Sequence, residues 1–233
     1  MMACTVMNDR AAYIARLGIA GIIIILLALF AYQYLAHRVD GKCCMKAFFM
    51  PKFDFWCLLA ILIGGFASIF AFIQCLLHYQ QSYMRALMSA LVMLWLCVIG
   101  YIDAREKIIP NAMILAGLIG WIAFSLIEIF LGGTPPLKLL AISALGGGFC
   151  GGLLFIIAII VKTALGMGDV KLFFVLGLLY GMADAYGILL FTVIAMAVFS
   201  VILLVAKKVN LKTAIPMGPF VSIGFFLSIL AGI

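Results

Sequence analysis

Charge is what this chain has least of. Only 10% of its 233 residues are Asp, Glu, Lys or Arg, and 68% are hydrophobic, with a mean hydropathy of +1.36. A soluble domain carries about 25% charged residues. So few polar groups cannot cover a globular surface, which excludes an ordinary water-soluble globule and makes lipid the main solvent. CxxC spacing is absent too. The seven cysteines, Cys4, Cys43, Cys44, Cys57, Cys75, Cys97 and Cys150, lie mostly within or beside apolar runs. They read as small apolar filler; neither a disulfide framework nor a zinc site has support, and no metal or cofactor is expected. Despite the net charge of +7 there is no basic stripe interleaved with aromatics, so nucleic acid is excluded as a partner. Heptads, low-complexity stretches and a convincing internal repeat are also missing, and the last of these weakens a transporter reading.

What is there is a series of about eight apolar segments, read as an all-α, polytopic membrane protein forming a single transmembrane domain over residues 1–233. The segments run from about Leu17 to Leu35, Phe55 to Leu77, Ala86 to Ile102, Ala112 to Leu131, Leu139 to Val161, Val170 to Gly181, Ala185 to Ala206 and Ile215 to Ile233. The first exceeds the roughly 7–15 residues of a signal-peptide core and lacks a good cleavage site, so a retained helix is expected. A short basic loop, 37–54, follows it. Gly132-Gly133-Thr134-Pro135-Pro136 is a turn by composition. In the fifth segment, Gly147 with Gly151 and Gly148 with Gly152 have GxxxG spacing, which allows a neighbouring helix to approach closely.

The sixth segment is short for a crossing, reaching only ~18 Å at 1.5 Å per residue. Lysine and arginine counting decides it. If all eight segments cross, eleven of the fifteen basic residues fall on one side and four on the other; if the sixth does not cross, the split is eight to seven. The positive-inside rule favours eight crossings, with both termini outside. It also sends Asp103 and Asp169 to one face, the cytoplasmic one.

Those two stand out among eight acidic residues. Asp9 is in the tail, Asp40 and Asp54 lie in the basic gap, Glu106 is beside Lys107, and Asp184 marks the sixth-to-seventh turn. Glu128, inside the fourth segment, is expected to point into the bundle or up to the outer interface. Asp169 ends Gly166-Met167-Gly168-Asp169, whose glycines offer unusual backbone conformations and remove bulk, so that an extended peptide can lie beside the carboxylate. Asp103 ends the third segment. Pro110 cannot continue a helix and suits the first turn of the next, which is expected to begin near Asn111. Two carboxylates ~3 Å apart share one proton: the ionised member activates water and the protonated member donates to the scissile carbonyl oxygen. The alternative for the pair is helix capping, with Arg105 and Lys171 as ion partners. A channel or transporter using both aspartates as ion ligands is the second functional class.

Asp103 followed by Ile109-Pro110-Asn111, then Gly166-Met167-Gly168-Asp169-Val170-Lys171-Leu172, then Ile215-Pro216-Met217-Gly218-Pro219-Phe220, resembles the bacterial type IV prepilin peptidases, GxGD intramembrane aspartyl proteases. The resemblance covers about residue 85 to the end. It implies Asp103 and Asp169 as the catalytic pair, Gly166, Gly168, Lys171, Pro110 and Asn111 in support, and the bacterial cytoplasmic (inner) membrane as location. Prepilins or pseudopilins are the implied substrates, cut on the cytoplasmic side after a short basic leader. Many members carry a methyltransferase domain with two CxxC pairs after the first helix. Loop 37–54 is too short for one, so leader cleavage without N-methylation is expected.

Overall fold

The protein is described from a computed structural model, which covers residues 55–78, 83–131, 135–160, 166–206 and 215–232. The first apolar segment and the basic loop 37–54 lie outside the described residues. Every regular element among the described residues is a helix: α1 (Phe55–Ile73), continued by a π-helical turn (Gln74–His78), α2 (Tyr83–Glu106), α3 (Asn111–Leu131), α4 (Pro136–Ile160), α5 (Met167–Val205) and α6 (Gly218–Ala231). Five of the helices are long and apolar enough to cross a membrane, and α6 is apolar but only 14 residues long. Large side chains such as Phe66, Phe130, Ile160 and Val205 are left on the outer surface. Their exposure fits a lipid solvent and would be a liability in water.

The described residues fall into two compact units divided between Leu94 and Trp95, so α2 contributes its first half to one and its second half to the other. In the first unit Phe72 meets Tyr83 edge-on with ring centroids 5.7 Å apart. Ala71, Cys75, Ala86 and Ala90 are buried there. Ser68 satisfies its hydroxyl within its own helix, on the Gly64 carbonyl at 2.8 Å, as a buried serine in an apolar helix must.

The second unit is organised by α5, whose 39 residues would stretch roughly 58 Å if straight, about twice a bilayer core. It is not straight. At Gly181 the backbone takes φ 78 and ψ −175, a conformation only glycine adopts at little cost, and the helix divides into two limbs. Contacts with α4 show that the chain reverses there. Along the first limb, Phe174 packs on Gly151, Leu178 on Gly147, and Gly181 on Ile142, so the two run antiparallel. Beyond the break Tyr186 meets Phe149, ring centroids 6.3 Å apart, so the second limb returns alongside α4 in the parallel sense. The second limb then packs antiparallel on α6, through Thr192 on Gly224 and Phe199 against Phe220. The reversal lies at Gly181 and not at Asp184, which sits inside the second limb. A carboxylate is tolerated within a helix, whereas the positive φ of the break demands glycine.

Close approach of α4 and α5 depends on bare backbone. A Cβ at Gly146 would overlap the Gly177 carbonyl and come within 2.6 Å of the Gly181 Cα. Gly147 and Gly151 face the first limb as their spacing predicts, but Gly148 and Gly152 meet nothing within 4 Å. The partners that Gly146 needs, Gly177 and Gly181, lie in another segment and are themselves four residues apart. Buried Thr192, Ser222 and Ser228 donate to the backbone carbonyls of Ile188, Leu96 and Phe225, which spares apolar helices an unsatisfied hydroxyl.

Candidate active site

The alternation of helix directions in the second unit delivers several ends to one place. The C-terminal end of α2 and the N-terminal ends of α3, α5 and α6 all gather there. Each carries one of the sequence motifs.

Asp103 lies one turn before the end of α2 and is 5% exposed. The helix stops because Lys107 adopts φ 54 while its amide still bonds the Asp103 carbonyl at 2.8 Å. This is the left-handed stop more often filled by glycine. It turns the chain back through Ile109 and Pro110 into α3, which begins at Asn111 as the sequence predicts. The Pro110 carbonyl accepts the amides of Met113 at 3.0 Å and Ile114 at 3.4 Å. Proline thus supplies an acceptor to a helix start where its missing N–H costs nothing.

Asp169 sits in the first turn of α5, half-buried, behind Gly166. Its carboxylate accepts a hydrogen bond from the Gly166 amide. This is half of a capping box, with the acid at the third helical position reaching back to the residue before the helix. A capping role therefore exists for Asp169. Lys171 Nζ donates to Asn111 Oδ1 at 3.1 Å, tying the starts of α3 and α5 together. The Arg105 guanidinium lies over the Tyr101 ring, 5.1 Å from its centroid.

The two glycines of the motif act by their lack of bulk and not by unusual torsions. Gly166 has φ −75 and ψ 140, open to any residue, and Gly168 is within the helix. A Cβ on Gly166 would come 3.1 Å from Asp169 Oδ2, and one on Gly168 would come 3.0 Å from the Ile109 Cβ. Gly168 is thus the seat of Ile109, and that contact holds the turn after Asp103 against the start of α5. Asp103 and Asp169 lie within electrostatic reach of one another.

A third element closes over Asp103. The Gly218 amide, at the start of α6, donates to Asp103 Oδ2 at 2.7 Å. Gly218 belongs to the proline- and glycine-rich motif near the C-terminus, but sequence reasoning assigned it no role. A glycine beside Pro219 just ahead of an apolar run was the available signal, since it marks a helix start that another backbone can approach. Glu128 is not part of the site: it lies half-buried near the far end of α3. On the flank of Asp169 runs an apolar cavity of about 540 Å³ between α3, α4 and the first limb of α5, with Lys171 its one charged lining residue and Gly148 and Gly152 on its floor.

These features define a class: an all-helical protein with membrane-length apolar helices and two carboxylates within electrostatic reach of one another at one end of its second unit. Residues 90–201 match the type IV leader peptidase family. The matched stretch contains both aspartates, Asp103 and Asp169. The chain is 28% identical over 148 residues to the prepilin leader peptidase/N-methyltransferase of Aeromonas salmonicida strain A449, and equally to the protein of the same description recorded for Aeromonas salmonicida. The match takes in 62% of this chain, and the chain spans about half the length (50%) of the curated relatives it matches. No solved structure matches.

Proposed function

We propose that this protein is an aspartyl endopeptidase that removes the leader peptide from prepilins or pilin-like substrates, with Asp103 and Asp169 as its catalytic pair. The observation that carries the reading is the convergence of those carboxylates, one from the end of α2 and one from the start of α5, at a place walled by all three motifs. The relatives' description as prepilin leader peptidases supports the substrate class.

The chemistry follows from two carboxylates sharing one proton. The ionised aspartate takes a proton from a water molecule, whose oxygen attacks the scissile carbonyl carbon. The protonated aspartate gives its proton to the carbonyl oxygen, forming a neutral tetrahedral diol. Collapse restores the carbonyl, breaks the C–N bond and passes a proton to the departing amine. The pair ends with the one proton it began with. Because the titration is coupled, the base and acid roles belong to the pair.

The chain alternates direction at α3, α4, both limbs of α5 and α6, which supports the reading that the sixth segment crosses. Eight crossings, both termini outside and a cytoplasmic site in a bacterial inner membrane are then the arrangement that also obeys the charge distribution. Loop 37–54 supports cleavage without N-methylation, since it has neither the length nor the cysteine spacing of a zinc-bearing methyltransferase. The test is co-expression of a prepilin with the wild type, Asp103→Asn and Asp169→Asn. Each substitution is expected to abolish leader removal, by at least ~10³-fold, while the protein still inserts. Normal processing by either variant would sink the reading. A methylated product formed from S-adenosylmethionine would sink the second half.

A further inference from the structure

The start of α6 is built so that one amide is left over. Phe220 and Val221 donate to the Met217 carbonyl at 3.0 and 3.1 Å. Pro219 has no N–H to give. Of residues 218–221, therefore, only Gly218 directs its amide away from its own helix, and that amide meets Asp103 Oδ2 at 2.7 Å. The approach is possible because both helices are stripped to backbone at their crossing. A Cβ on Gly218 would lie 2.8 Å from the Asp103 Cβ, 3.0 Å from its Oδ2 and 3.2 Å from the Gly100 Cα. A Cβ on Gly100, one turn before Asp103, would lie 3.1 Å from the Pro219 Cα and 3.2 Å from the Gly218 carbonyl. Ser222 then sets the depth of α6 along α2, its hydroxyl donating to the Leu96 carbonyl at 2.9 Å.

We propose that Gly218 is the positioning residue for Asp103: its amide, held in register by Ser222 on Leu96 and by the bare surface of Gly100, fixes the plane of a carboxylate that lies within electrostatic reach of Asp169. This rests on the peptidase reading for its consequence in catalysis, but not for the contact itself. An aspartate side chain has two free torsions, and a short hydrogen bond from a rigid helix start removes most of that freedom. The helix dipole points its positive end at the same oxygen. Since Gly218 is spent on Asp103 and not on substrate, losing it acts on the chemical step and leaves ground-state binding alone.

The experiment uses the full chain, purified into lipid nanodiscs, with a purified prepilin as substrate. Two quantities are read on Gly218→Ala: kcat against KM, and the carboxylate stretch of Asp103 in infrared difference spectra, identified by its loss in Asp103→Asn. The expected result is a fall in kcat of about 10- to 100-fold with KM within about twofold, the size of effect that a misplacement of 1 Å or less produces, together with a displaced Asp103 band. A kcat within twofold of wild type, or an unmoved band, overturns the proposal, because a merely structural role lowers the folded fraction without moving the band. If Gly218→Ala does not insert, Ser222→Ala is measured in the same way. It removes one hydroxyl from the register contact and is expected to lower kcat about 3- to 10-fold and to move the same band; no change in either overturns the proposal. If instead Asp103→Asn cleaves normally, the peptidase reading fails. The infrared band, which needs no turnover, still decides whether Gly218 holds Asp103.

Discussion

The reversal at Gly181 brings the second limb of α5 back to the end of the unit where Asp169 begins, so a substitution there probes the topology directly. Gly181→Ala meets two penalties. The backbone at φ 78 and ψ −175 lies where non-glycine residues are essentially not found, which costs about 1–3 kcal/mol. The new Cβ would also stand 2.9 Å from Ile142 Cγ2, well inside a normal carbon–carbon contact, and overpacking of this kind costs about 1–3 kcal/mol. The sum is a destabilisation of about 2–6 kcal/mol, read as a shift of the equilibrium unfolding curve in mixed SDS–detergent micelles. The two terms separate. Ile142→Ala removes the obstructing methyl, so Gly181→Ala made on that background is expected to cost only the torsional part. The difference between the two backgrounds measures the contact. A Gly181→Ala variant within about 0.5 kcal/mol of wild type would refute the reasoning, because it would mean that α5 continues through residue 181 without the reversal.

Further expectations concern the turns that carry the aspartates. Gly168→Ala sets a Cβ 3.0 Å from that of Ile109. Displacing the turn by a few tenths of an ångström is expected to lower kcat for prepilin cleavage about 10-fold, and wild-type kinetics would remove Ile109 and Gly168 from the account of the site. Lys107→Gly relieves a left-handed lysine; it is expected to raise stability by about 1 kcal/mol with cleavage unchanged, and a destabilised variant would show that the lysine side chain contributes something the backbone does not reveal.

How much of this was legible beforehand can be followed residue by residue. Low charge and the run of apolar segments define an all-helical membrane protein, because a helix satisfies its own backbone whatever its neighbours do. Pro110 and the charged turn before it mark the end of α2 and the start of α3 for the same local reason. The motif aspartates are visible as acids at the ends of apolar runs, where a lone carboxylate needs explaining. The sixth segment was expected to end at Gly181, where the chain does break, but Asp184, taken for its polarity as the mark of the turn, lies inside the helix that follows.

What the chain alone determined, then, is everything set within a few residues: which stretches are helical, where they stop, and that two carboxylates stand at helix ends. Which helix faces which was decided only on folding. Gly218 bonds Asp103 across 115 residues, Gly168 seats Ile109, and Gly146 meets Gly177. Each is a contact between separate helices whose register depends on the packing of the whole unit. Local sequence specifies a helix because its hydrogen bonds close within four residues, but it carries no term for the neighbour that will lie against a bare glycine.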